Sequence, residues 1–259
     1  TTATPTERAA AEMSDALGWD AEARTRCRTW DDALTRLREN AEAAGVLVMI
    51  SGIVGSDTHR KLVPDEFRGF ALADAYAPLV FVNGADTKAA QVFTLAHELA
   101  HLWLGETALS DLDPASVRDN TVERWCNQVA AELLVPMAEF RAHLDASADI
   151  PSQLQTLAEH FRVSTQVILG RFREAGELTW DEYLHELGVE RARVAAIIAE
   201  RGSGGNYYNT KPVQIGKRFA RALVASTMEG QTSYTEAFRL LGLKKASTFD
   251  GLADRLGVR

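Results

Sequence analysis

Over residues 7–44 apolar side chains recur every three to four positions, most clearly Trp30, Ala33, Leu34, Leu37 and Ala41, and Gly45 stops the run. That spacing predicts helices. Residues 46–50 form a short apolar run of strand-forming types. The polar stretch after it, with Gly52, Gly55 and Pro64, reads as loop. Residues 67–74 and 79–83 read as two further strands joined by a turn at 75–78. Three short strands this close predict a small antiparallel sheet. From Thr87 the period becomes helical, with Ala90, Phe93, Thr94, His97, Ala100, His101 and Leu104 on neighbouring faces and Gly105 at the end. Residues 106–119 read as an acidic loop. A second helix is expected over about 119–135, its apolar face built from Val122, Trp125, Cys126, Val129, Ala130, Leu133 and Leu134 before Pro136. Short helices fill 137–200, a Gly/Ser-rich hinge falls at 202–205, and a last helical segment covers 211–259.

Composition narrows the class without naming a function. The 259 residues are 46% hydrophobic and 25% charged, which fits globular domains and excludes disorder, collagen-like repeats and rods. The longest mostly apolar stretch, 46–54, is too short to span a membrane, and no signal segment opens the chain. Two cysteines make no disulfide framework, so a cytoplasmic setting is expected. The net charge of −8 is uneven: nine basic and four acidic residues follow Arg201, giving that end +5 and the rest −13. An acidic body argues against nucleic acid as a partner, and a basic end suits a solvated helical surface or an acidic partner.

The chemistry concentrates in His97-Glu98-Leu99-Ala100-His101, an H-E-x-x-H motif on a helix. Side chains at i and i+4 share a face, so both imidazoles can reach one metal ion, with Glu98 beside them to take a proton from water. The plain alternative is two surface histidines on an amphipathic helix. Apolar neighbours on both sides argue against it, because partly buried histidines and a glutamate need a compensating partner. A zinc site of this kind takes three protein ligands and keeps one position open. Spacing alone offers Glu123 on the second helix, with Glu132 as competitor and Asp111 or Asp113 as weaker choices. It equally allows Glu123 to be an acid favoured by the helix dipole. Asn127, one turn after Glu123, could hydrogen-bond the outer nitrogen of a ligand histidine. Tyr76, Tyr207, Tyr208 and His160 are candidates for a second oxyanion donor or a substrate contact. A substrate peptide could pair with an edge strand at 69–74, unless that strand is buried or already paired.

The strand pair at 67–83, the helix containing Phe93-Thr-Leu-Ala-His-Glu-Leu-Ala-His101, and Glu123-x-x-x-Asn127-x-x-Ala130-Ala-Glu-Leu-Leu-Val-Pro136 together resemble the ImmA/IrrE family of zinc metallopeptidases. The resemblance spans roughly residues 30–175 and rests on three separated segments in the same order. It implies an α+β fold in which a small antiparallel sheet packs on zincin-like helices, followed by a helical, helix-turn-helix-like region. It also implies Zn2+ held by His97, His101 and Glu123, with Glu98 as catalytic base. Cys126 stands where the family often has alanine, and reads as a small core residue. The implied organisation is an N-terminal helical segment at 1–45, a peptidase core at 46–145, a helix-turn-helix-like region at 146–201 and a basic segment at 202–259.

Residues 157–172 carry the helix-turn-helix pattern. Leu157, Ala158 and Phe161 pack its first helix, Val163 and Ser164 form the turn, and Val167, Ile168 and Phe172 pack its second. Its second helix offers only Arg171 and Arg173, too few phosphate contacts for DNA binding, so a packing or docking role is expected. The stretch at 204–210, with Tyr207 and Tyr208, resembles a segment of longer members of the family. Those members often carry a separate DNA-binding module, which here would precede Thr1. The resemblance implies a cytoplasmic endopeptidase whose substrate is a folded regulator, a helix-turn-helix repressor or antirepressor. Cutting it would switch on a stress, mobile-element or phage-defence response. The rivals are a zinc-containing transcriptional regulator and a toxin–antitoxin-type binding module. The intact Glu98 argues against the second.

Overall fold

The computed structural model describes residues 1–55, 57–110, 120–200 and 213–258. Helices α1 (Thr6–Leu17), α2 (Ala21–Thr25) and α3 (Trp30–Ala43) open the chain. Gly18, in the left-handed region at φ 57°, ends α1 where a side chain would be strained. A capping box starts α3: Thr29 accepts from the Asp32 N–H, and Asp32 accepts in return from the Thr29 N–H.

Strands β1 (Leu47–Ser51), β4 (Gly69–Leu72) and β5 (Leu79–Asn83) form where the apolar runs predict them. The α+β class holds, but the sheet is mixed. Its order is β1-β5-β4-β6, and β1 runs parallel to β5 with Leu47 opposite Leu79. Only β4 is antiparallel to β5. A parallel pair needs a long crossover, and the chain between Ser51 and Leu79 supplies one.

Two further departures come from strands without an apolar signature. The expected loop after Ser51 contains a hairpin of β2 (Ile53–Val54) and β3 (Asp57–Lys61), and β3 is exposed throughout. The expected acidic loop contains β6 (Ala108–Ser110), antiparallel to β4. Strand β4 is therefore paired on both sides and is not the expected edge for a substrate peptide. The position beyond it belongs to β6.

Helix α4 (Lys88–Leu104) crosses the sheet against β4 and β5 and packs on α3 and on α5 (Thr121–Leu134). Thr87 caps its start by accepting the Ala90 N–H, and Gly105 ends it at φ 76°. Helices α6 (Met137–Ala142), α7 (Ile150–Phe161), α8 (Thr165–Ala175) and α9 (Trp180–Glu200) follow. One hydrophobic core gathers residues from Ala9 to Phe172, including Leu37, Val80, Leu95, Val129, Phe140 and Ile168. A second core, around Val224, Leu241 and Phe249, belongs to α10 (Lys217–Met228), α11 (Tyr234–Leu241) and α12 (Ala246–Leu256).

Two basic residues of the C-terminal end meet α3. The Lys217 ammonium lies 2.7 Å from Glu39 of α3, and Arg218 donates its backbone N–H and its guanidinium to Glu42. Gly216, at φ 80°, brings its backbone so close to the Val48 carbonyl of β1 that an added Cβ would sit 2.9 Å from that oxygen. Among the described residues, no helix is long and apolar enough to cross a membrane.

Candidate metal centre

His97 and His101 stand one turn apart on the buried face of α4, and Glu123 enters from the first turn of α5. Asn120 shapes that turn, its side-chain oxygen accepting the N–H groups of Val122 at 3.0 Å and Glu123 at 3.2 Å. The Glu123 carboxylate spans both rings, with Oε2 3.2 Å from His97 Nε2 and Oε1 3.2 Å from His101 Nε2. The two Nε2 atoms are 3.1 Å apart and the rings meet edge to face at 71°. Both histidines are fully buried.

This donor set fits a divalent metal. Bonds of about 2.1 Å at tetrahedral angles place neighbouring donors roughly 3.3–3.4 Å apart, close to the spacing seen. Burial pushes His97 below the usual histidine range, so its neutral form is favoured. A neutral His97 would then set an imidazole lone pair among the His101 ring and a carboxylate, an arrangement that a cation relieves. Burial acts to raise the Glu123 pKa, but hydrogen bonds and charge from His101 and His97 outweigh it and hold the carboxyl at about 2. Among the described residues these three alone form a His/Cys/Asp/Glu group that could hold a metal ion.

Glu98 lies between its two histidine neighbours in sequence and is fully buried. Its placement depends on a residue that pattern reading passes over. A Cβ on Gly69 would sit 2.8 Å from Glu98 Oε1, 2.7 Å from Thr94 Cγ2 and 2.8 Å from the Phe81 carbonyl. Strand β4 can approach α4 this closely only because residue 69 has no side chain. A glycine inside an expected strand was the available signal.

The other candidates separate. Asn127 reaches the His97 ring and raises its pKa. Neither histidine Nδ1 has a hydrogen-bond partner among the described residues, so the expected contact to an outer nitrogen is not made there. Glu132 is not a ligand competitor: it pairs with Arg171 at 2.6 Å and accepts the Met137 N–H. Tyr76 is 97% exposed on the turn at the far end of β4 from Gly69. His160 stacks on His143, ring centres 4.1 Å apart. Tyr207, Tyr208, Asp111, Asp113 and the hinge at 202–205 lie outside the described residues. Cys126 is fully buried, and burial first, then Glu123 and Glu98, drives its thiol far above the usual range. It is a protonated core residue.

The helix-turn-helix pattern folds as α7 and α8, with the Ser164 hydroxyl accepting the Val167 N–H to cap α8. Arg171 is buried and ion-paired to Glu132 and Glu174. Arg173 stacks over Trp180 and Tyr183 of α9 at 5.4 and 5.5 Å. Both arginines of that helix are engaged within the chain.

Residues 215–255 match a domain family of unknown function. No curated protein matches the chain. Residues 41–173, about half the chain, match the peptidase family described as the IrrE N-terminal-like domain. That span contains the whole His97–His101–Glu123 group and Glu98, and the chain belongs to this family.

Proposed function

We propose that the chain is a zinc-dependent endopeptidase. Its substrate is a specific folded regulator, a helix-turn-helix repressor or antirepressor, and cleavage switches on a stress, mobile-element or phage-defence response. The observation that carries the chemistry is the convergence of two imidazoles and one carboxylate within 3.2 Å, beside a buried glutamate. Family membership supports peptidase chemistry, and the choice of a regulator as substrate rests on the sequence resemblance.

His97 Nε2, His101 Nε2 and the Glu123 carboxylate would hold the ion. When bound, zinc supplies Lewis acidity and brings water within reach of deprotonation near neutral pH. The Glu98 carboxylate takes the proton from the attacking water and delivers it to the leaving amine nitrogen. The absence of a side chain at Gly69 leaves that carboxylate the space it occupies. A substrate strand pairs with the outer edge of β6, the strand that takes the place first expected of β4.

Elemental analysis and proteome-wide mapping of new N-termini test this reading. Zinc should bind one per chain, persist in Glu98→Gln, and be weakened in His97→Ala and Glu123→Ala. New N-termini should appear in cells expressing the native chain. They should fall by about 10²–10⁴ in rate with Glu98→Gln. A chain that takes up no metal when zinc is supplied would refute it.

A further inference from the structure

A cavity of about 420 Å³ opens between the metal-bearing helices and the α8–α9 pair. His97, His101, Glu123 and Glu98 do not line it, but two of its wall residues touch or adjoin the metal centre. Asn127, which reaches His97, lines it, and so does Phe93, whose ring centre is 6.3 Å from that of His97.

Its charge is opposite to that of the chain. Arg68, Arg124, Arg173 and Arg191 line it, against one acid, Glu174, although Arg68 also lies 3.8 Å from Asp86 outside the lining. Glu174 is paired with Arg171 at 2.5 Å, so its charge is already answered from behind the wall. Stacking on Trp180 and Tyr183 holds the Arg173 guanidinium. A guanidinium fixed by its face keeps its in-plane N–H groups for a planar acceptor such as a carboxylate. Phe93, Val167 and Leu187 give the same cavity apolar wall. Cavities of this size, mostly apolar with a few placed charges, suit side chains of a bound ligand.

We propose that this cavity is a substrate subsite that selects acidic side chains, Asp or Glu, on the protein segment being cut, a few residues from the scissile bond. The inference rests on the peptidase reading, because adjacency to the metal centre is what makes the occupant a substrate segment. An acidic segment would also be repelled by most of the −8 chain and attracted here, which adds orientation to affinity.

The test uses zinc-loaded Glu98→Gln protein, so that binding is read without turnover. The probes are two fluorescein-labelled decapeptide pools, randomised except for two adjacent positions fixed as Glu-Asp in one and Gln-Asn in the other. The acidic pool should bind about tenfold more tightly at low salt. Added Arg173→Gln or Arg191→Gln should reduce that preference severalfold, and together they should bring the pools to parity with zinc content unchanged. Arg173→Lys should keep part of the preference. Arg8→Gln, an equal loss of charge on α1, should keep all of it. If Arg173→Gln fails to fold, Arg191→Gln, exposed on α9, carries the test. Equal binding of the two pools, or a preference unmoved in the double variant, would overturn the proposal. Peptidase activity of the native chain is read separately, from new N-termini in cells. Arginine-dependent binding, with no new N-termini in cells expressing the native chain, would sink the peptidase reading and leave a pocket for acidic peptides. Cleavage without acidic preference would do the reverse.

Discussion

Gly69 is the residue on which the position of Glu98 turns. Gly69→Ala would force a methyl group into the Glu98 carboxylate, the Thr94 methyl and the Phe81 carbonyl, all within 2.8 Å. We expect a loss of about 1–3 kcal/mol of stability and a fall in cleavage rate larger than that loss explains, with zinc content kept. Calorimetry, elemental analysis and cleavage assays on one preparation check it. At this scale the sequence was readable where chemistry follows helical period: His97 and His101 share a face because they are one turn apart. Glu123 was visible as a candidate, but its reach to both rings depends on how α5 crosses α4, which no local spacing contains. Tyr76 shows the opposite limit. Its type suited an oxyanion donor, and its turn carries it into solvent.

Among the elements, the join between α5 and α8 runs through Arg171, whose side chain is 4% exposed and lies 2.6 and 2.5 Å from Glu132 and Glu174. Arg171→Ala strips a buried charge from two carboxylates, and we expect a loss of about 3–5 kcal/mol. Denaturant titration should separate it from Arg8→Ala, which breaks an exposed pair on α1 and should cost less than about 1 kcal/mol. The helix-turn-helix pattern was legible because capping and apolar period are local. That Arg171 faces inward was not, since Glu132, 39 residues away, decides it. Strands β3 and β6 escaped for a related reason. Exposed or very short strands have no alternation to read, and backbone pairing alone makes them.

For the whole molecule, the uneven charge in the sequence resolves in part into an internal contact, as Lys217 and Arg218 meet Glu39 and Glu42. Burial holds the Glu42 carboxyl above the usual glutamate range, against the pull of the Arg218 N–H and of Arg38. A raised carboxyl pKa favours the folded state below the ordinary glutamate range, and that contribution is lost as pH rises through the raised value. Glu42→Gln cannot ionise, so its melting temperature should gain on the native chain between about pH 4 and pH 7. A gap that narrows over that interval would contradict it. The same docking has a consequence for solubility. The outer side of β1 is a row of main-chain donors and acceptors of the kind that recruits a second chain, and Gly216 lies across it at Val48. Without residues 213–258 that row becomes a template. A chain cut there should associate edge to edge and scatter light at concentrations where the full chain stays dispersed, which makes the C-terminal bundle a built-in guard against aggregation.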